Sequence, residues 1–188
     1  MLISKFTNEN IKNRVEDMEK EYGITFPTQY KYFLYQYNGG YTPKTKFRVG
    51  KISSDIRGFY GIGDVKLSLN VLDLREWLDK NVFPIACDSF GNYIVVGLGE
   101  DNTGMIYFCD HEKEYKIEYL EKNLKTFLQH CSSGKINDAA ILSIKEREQA
   151  LIEKGRGNII TDALRQMWQA EIDKYSNMVQ EEVVIDEL

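Results

Sequence analysis

Histidine, proline, cysteine and tryptophan are all scarce in this chain. Its 188 residues include two histidines, three prolines, three cysteines and two tryptophans. With only His111 and His130 there is no helical histidine pair, and His111-Glu112-Lys113-Glu114-Tyr115 lacks the second histidine of the zinc-protease pattern. The cysteines Cys87, Cys109 and Cys131 are odd in number and far apart. That excludes a disulfide framework and the paired-cysteine zinc patterns, and it reads as reduced, buried thiols in a cytoplasmic protein. No run of about twenty apolar residues exists, so no segment reads as a membrane span. The start, Met1-Leu2-Ile3-Ser4-Lys5-Phe6, is too short an apolar stretch for a secretory signal. Gly61-Ile62-Gly63 and Gly97-Leu98-Gly99 open like dinucleotide fingerprints but lack the third glycine. There is no Gly-Lys-Ser/Thr phosphate loop and no Gly-x-Ser-x-Gly elbow. We therefore expect no cofactor, no metal and no catalytic set.

Apolar side chains are not lacking. Hydrophobic residues make up 43% of the chain, enough for a core in one domain. The net charge is −5. An acidic balance disfavours nucleic acid as a partner and favours a basic protein. Tyrosine is plentiful, and Tyr22, Tyr30, Tyr32, Tyr35, Tyr37 and Tyr41 crowd one short stretch with Phe26 and Phe33.

Hydrophobic spacing sets out the elements. Ile11, Val15, Met18 and Tyr22 form one helical stripe after a cap at Thr7 or Asn8, and Gly23 ends it. Pro27 opens a second helix carrying Tyr30, Phe33, Leu34 and Tyr37 on one face, stopped by Asn38-Gly39-Gly40. Lys46–Ile52 and Ile56–Ile62 are candidate strands, and Leu69–Leu78 a short helix. Val82–Cys87, Tyr93–Gly97 and Met105–Cys109, with Tyr115–Tyr119 after them, read as an antiparallel meander. Leu120 to Cys131 forms a closing helix. The prediction is an α+β domain over 1–132, with a mostly antiparallel sheet packed against helices. A helical extension follows over 133–188.

That extension reads as two helices, 139–154 and a second starting near Asn158, joined by Gly155-Arg156-Gly157. The acidic residues from Glu181 onward read as a frayed tail. Two helices alone cannot bury their stripes. They pack on the domain, on a second copy or on a partner. Trp168, beside Leu164, Met167 and Ile172, is expected to be mostly buried against the chain's own sheet or helices.

The only gathering of reactive side chains is Cys109-Asp110-His111-Glu112. On a strand, adjacent residues point to opposite faces, so Asp110 and Glu112 share a side without His111. Carboxylates such as Asp88 and Asp110 could face one another across strands. A deep polar pocket around Asp88, Asp110, His111 and Glu112 would mark an enzyme. Otherwise these residues are solvated turns. Tyr32 and Tyr35 fall at the edge of their helix, as cover for the sheet or as a partly wet interface.

Ile24-Thr25-Phe26-Pro27-Thr28-Gln29-Tyr30-Lys31-Tyr32-Phe33-Leu34, closed by Tyr37-Asn38-Gly39-Gly40, resembles the opening of the SUKH superfamily. That superfamily includes the yeast cell-wall-assembly (glucan synthesis) regulator and many bacterial immunity proteins. Phe83-Pro84-Ile85-Ala86-Cys87-Asp88 with Gly91-Asn92 resembles its central hairpin, and Gly104–Phe108 with Asp110-His111-Glu112 the next strand. The resemblance covers roughly residues 8–132. It implies an α+β fold and a non-enzymatic immunity protein that neutralises a cognate bacterial toxin by direct contact. The toxin expected for an acidic inhibitor is basic, such as a nuclease. The alternative it implies is a regulatory or scaffolding protein with no toxin partner. On either reading the chain is a monomer or weak homodimer in the cytoplasm, without nucleic acid or membrane. Turns at strand ends can vary without disturbing a core. The expected partner-binding residues are therefore Asp88, Asn92, Asp110 and Glu112, with Tyr32 and Tyr35 as aromatic alternatives.

Overall fold

A computed structural model describes residues 1–7 and 9–185. The chain divides into two compact units. One is Met1–Gly134 with Glu181–Leu188, and the other is Lys135–Gln180.

The first unit opens with strand β1 (Leu2–Lys5) and helix α1 (Ile11–Tyr22). Ile11, Val15 and Met18 form the buried stripe that their spacing predicts. The Thr7/Asn8 cap is not found: the cap position is Asn10, left-handed at φ 55° and with no side-chain bond, and Asn8 lies outside the described residues. Gly23 closes α1 at φ 65°, its N–H donating to Glu19 O. Glu19 then organises the link to α2 (Thr28–Tyr37). Its carboxylate accepts Phe26 N–H at 2.7 Å and pairs with Lys31 at 2.8 Å.

Asn38-Gly39-Gly40 does more than stop α2. Asn38 itself takes the left-handed cap at φ 48°. Its buried side chain donates to Thr7 O and Ile62 O and accepts Ile62 N–H, so one amide ties three loops together. A Cβ at Gly39 would stand 2.5 Å from Tyr60 O, so two backbones meet where only glycine fits.

β2 (Gly40–Val49) and β3 (Ile52–Phe59) form a hairpin. The strand expected over 46–52 is in fact its two arms and turn, because Gly50 turns the chain at φ 57°. The helix expected over 69–78 shrinks to a 3-10 turn at Leu69–Val71 and to α3 (Arg75–Leu78). The meander follows as β4 (Val82–Cys87), β5 (Tyr93–Gly97), β6 (Ile106–Asp110) and β7 (Lys116–Glu121). α4 (Leu124–Gln129) and β8 (Cys131–Ser133) close it, with Asn123 capping α4 through Thr126 N–H.

The second unit contains α5 (Ile144–Glu153) and α6 (Asp162–Tyr175). Ser143 and Glu146 form a reciprocal capping box on α5. Thr161, not Asn158, caps α6.

The end of the chain overturns the frayed-tail expectation. β9 (Glu181–Glu182) adds to β1, with Leu2 opposite Glu182 and Ile3 opposite Glu181. Lys5 pairs with Glu181 at 2.9 Å, and Tyr37 Oη accepts Val184 N–H at 2.9 Å. Ile185 is buried in the core. Asp186–Leu188 lie outside the described residues.

The sheet runs in the order β7-β6-β5-β4-β3-β2-β1-β9, with β8 beside β2 and every strand pairing antiparallel. The fold is thus α+β, with helices flanking an antiparallel sheet. Phe26, Tyr30, Phe33, Phe59 and Phe83 interlock in the main core at centroid distances of 4.9–6.4 Å. Burying one large side chain of this kind stabilises the fold by about 2–3 kcal/mol. The Tyr30 hydroxyl is buried without a partner, and burial pushes its ionisation far up.

Candidate protein-binding surface

The β4–β5 turn is built from its own carboxylate outward. Asp88 is 3% exposed. Its Oδ1 accepts the N–H groups of Phe90 and Asn92, at 2.9 and 2.8 Å. Its Oδ2 accepts Ser54 Oγ–H and Asn92 Nδ2–H, both at 2.7 Å. Both oxygens are thus fully committed to holding the turn. Asn92 spends its amide N–H on Asp88, so its oxygen faces His111. That oxygen accepts His111 N–H at 2.9 Å and the ring Nδ1–H at 2.7 Å. Ser89 adds a brace from outside, giving both N–H and Oγ–H to Asp55.

Asp88 and Asn92 were expected on the outer surface, and the structure corrects this. They lie inside the turn and present other residues. Phe90, at its tip, is 66% exposed, although its own N–H is fixed by Asp88. Exposure of a large ring on an immobilised backbone is an arrangement suited to anchoring a partner at low ordering cost. Asp110 accepts Glu112 N–H and pairs with Lys113 at 3.1 Å, and the neighbouring ammonium holds its carboxyl below the usual range. Asp110 therefore does not face Asp88. Of the four strand-end residues, Glu112 alone is exposed. Tyr32 and Tyr35 sit on α2, a separate element. Both are partly buried against the core, with Lys12 Nζ 5.7 Å from the Tyr35 ring.

Beside the turn, the outer face of β5–β7 carries an aromatic surface that sequence reading missed. Trp77 of α3 meets Tyr93 and Tyr115 at 5.1 and 5.8 Å. Tyr93 and Tyr115 are 5.6 Å apart. Tyr107 stands opposite Tyr119, and Cys109 opposite Ile117, so all four share this face. Tyr119 is 54% exposed. The signal was present in the alternation of Tyr107 with Phe108 and of Ile117 and Tyr119 with Glu118. One member of each pair must point away from the core.

Among the described residues, no three His, Cys, Asp or Glu side chains stand close enough to hold a metal ion. The three thiols are free, and burial pushes Cys109 and Cys131 up to about 12, so they stay neutral near pH 7. A cleft of about 460 Å³ lies at the far end of β5, between the start of α2 and the start of α4, where Pro27, Gln29, Leu98 and Asn123 line it. It does not include Asp88, Asp110, His111 or Glu112. No helix among the described residues is long and apolar enough to cross a membrane.

Comparison with known proteins bears on this surface. The model of the SUKH_6 family, described as SMI1-KNR4 cell-wall, matches residues 12–128. That span runs from within α1 to within α4 and includes the β4–β5 turn and the aromatic face. The chain belongs to this family. A curated relative is the SPbeta prophage-derived uncharacterized protein YokK of Bacillus subtilis (strain 168), 27% identical over 130 residues. The match covers 57% of this chain and 66% of that protein, just under two thirds of its length. The second unit lies outside the family match.

Proposed function

We propose that the protein is a non-enzymatic binding protein of the cytoplasm that neutralises a cognate bacterial toxin by direct contact. The observation that carries this reading is the braced β4–β5 turn, which holds Phe90 in solvent next to the aromatic face of β5–β7. The SUKH family membership of the chain supports it. Rigid aromatic anchors flanked by polar groups are the common anatomy of protein–protein hot spots.

The partner it fits is basic. Lys135–Gln180 contains seven Lys or Arg and seven Asp or Glu, so the whole net charge of −5 resides in the first unit. Opposite charge on a partner accelerates encounter, and Glu112 stands exposed beside the anchor turn. A second reading, a regulatory or scaffolding protein with no toxin partner, draws support from the cell-wall description of the matching family. Stable housekeeping partners in place of a toxin would favour it.

The test is co-expression with toxin domains encoded beside the gene. Rescue of growth, and a purified complex, are expected with one of them. Phe90→Ala should then weaken that complex by about 2 kcal/mol, and Glu112→Lys should chiefly slow association. Both variants should melt like the parent protein. The absence of any protecting pair would sink the toxin reading. Unchanged binding by both variants would move the contact off this surface.

A further inference from the structure

We propose that the outer face of the β2–β3 hairpin binds an extended acidic segment of a partner protein. This contact is independent of the toxin reading and does not use Phe90 or Glu112. The sequence prepares it. Residues 22–54 contain no Asp or Glu, although the chain has 29 of them. Within the hairpin, Lys44, Lys46, Arg48, Lys51 and Arg57 stand against Asp55 alone, in a chain of net charge −5. All five cations are exposed.

Strand geometry gathers them. Along β2, Lys46 and Arg48 alternate with buried Thr45 and Phe47, so both project from the side opposite the core. Ser53 lies opposite Arg48, and Lys46 has Asp55 on one flank and Ser132 on the other. Arg57 follows Asp55 at the strand period, and Lys51 sits at the hairpin tip. Among the described residues Lys46, Arg48, Lys51 and Arg57 take part in no ion pair. Asp55 faces Lys46 across the strands, but its carboxylate is committed to Ser89, accepting the N–H at 2.9 Å and the Oγ–H at 2.6 Å. The turn that presents Phe90 thus takes the one anion of the hairpin and leaves the cations beside it unpaired.

Charge and spacing select the occupant. β3 and β8 flank β2 on both sides here, so no strand can add to it and recognition falls to side chains. Cations two residues apart on a strand repeat at about 6.8 Å. Carboxylates on alternate residues of an extended segment laid along β2 repeat at the same distance. The Arg48 guanidinium can hold one of them through two parallel N–H donors. Single-stranded nucleic acid also strings its charges along an extended chain, but its bases need aromatic rings to stack on. The residues of this face are Lys46, Arg48, Ser53, Asp55, Arg57 and Ser132, none of them aromatic. The net charge of −5 also repels a long polyanion, whereas a short segment feels mainly the charges within a screening length of about 8 Å.

The probe is a labelled peptide of about twelve residues that alternates Glu and Thr, long enough to run the length of β2. Titrated against the full chain in about 50 mM salt, it should bind with a Kd below about 1 mM. Raising the salt to about 500 mM should weaken it at least about tenfold. Lys46→Glu with Arg48→Glu should have an effect of the same size at low salt. The circular dichroism should not change, since both side chains are exposed. Glu112→Lys should leave the peptide bound, which separates this face from the toxin surface. Should the double variant fail to fold, amide NMR shifts of the parent protein on adding peptide replace it, and they should centre on residues 44–57. No binding at about 1 mM peptide overturns the proposal. So does binding indifferent to the Lys46 and Arg48 changes, and so do shifts centred away from the hairpin. An oligothymidylate of equal charge, or vesicles of phosphatidylcholine with phosphatidylserine, that bound this face more tightly than the peptide would also overturn it, in favour of nucleic acid or a lipid surface.

Discussion

The two units of this chain are held together by different physics. In the first, aromatic rings from α2 and the sheet meet edge-on and tilted, and Phe33, Phe59 and Phe83 are wholly buried. In the second, helices 10 and 14 residues long are ordered by caps at Ser143 and Thr161 and tied by arginine–carboxylate pairs. Hydrophobic burial is non-directional and adds with area, so the first unit gains from every long-range contact. A partly exposed ion pair such as Arg165–Glu148 adds a few tenths to about 1 kcal/mol, far less than a buried aromatic ring. The difference teaches where function can sit. The first unit can hold an exposed ring on a braced turn because its aromatic core supplies most of the stability. The second has no such reserve.

Three substitutions sharpen or break that contrast. The largest effect is expected from Phe83→Ala, which removes a ring touching Phe26 and Tyr30 in a fully buried site. A loss of about 4 kcal/mol is expected in denaturant melts. A loss below about 1 kcal/mol would mean that the aromatic core is not the main source of stability. Next comes Asp88→Ala. It strands the donors of Ser54, Phe90 and Asn92, and a cost of about 3 kcal/mol is expected. Because Asn92 would lose its orientation, the His111 ring resonances should shift as well. An Asp88→Ala protein with parental stability would show that the turn is not braced as described. The smallest effect belongs to Trp168→Ala. Trp168 was expected to be mostly buried, but it is half-buried and its ring partner is Arg147. A cation–ring contact on a half-buried ring supports a loss of about 1 kcal/mol in the second unit's melt. A loss as large as that of Phe83→Ala would erase the distinction between the units.

Much of the fold was legible because its signals are local. The Ile11, Val15 and Met18 stripe, Pro27 before α2, and the β4–β7 meander all fell where spacing put them. The misses share a cause. Gly50 reads as a weak strand residue until its pairing shows a hairpin turn. Glu181 and Glu182 read as solvent-facing until β1, nearly the whole chain away, is seen beside them. The site was legible only as a region. Asp88 and Asn92 were singled out in the β4–β5 turn, but composition cannot say whether a turn carboxylate points inward or outward. Phe90 went unremarked because an aromatic residue in a turn looks like one more core contribution.

By itself, then, the sequence determined the α1 and α2 stripes, the β4–β7 meander and the acidic balance. These depend on residue type and on spacings of a few residues, which no distant contact can alter. Tertiary structure alone decided which polar groups are spent and which are offered. Asp88, buried under Ser54 and Asn92, became a brace, and Phe90 two residues later became an exposed ring. It also decided that the chain returns through Val184 and Ile185 to lock β1 and Tyr37. The reason is physical: a hydrogen bond or a buried contact needs two partners. When they are far apart in the chain, only the folded backbone brings them within reach.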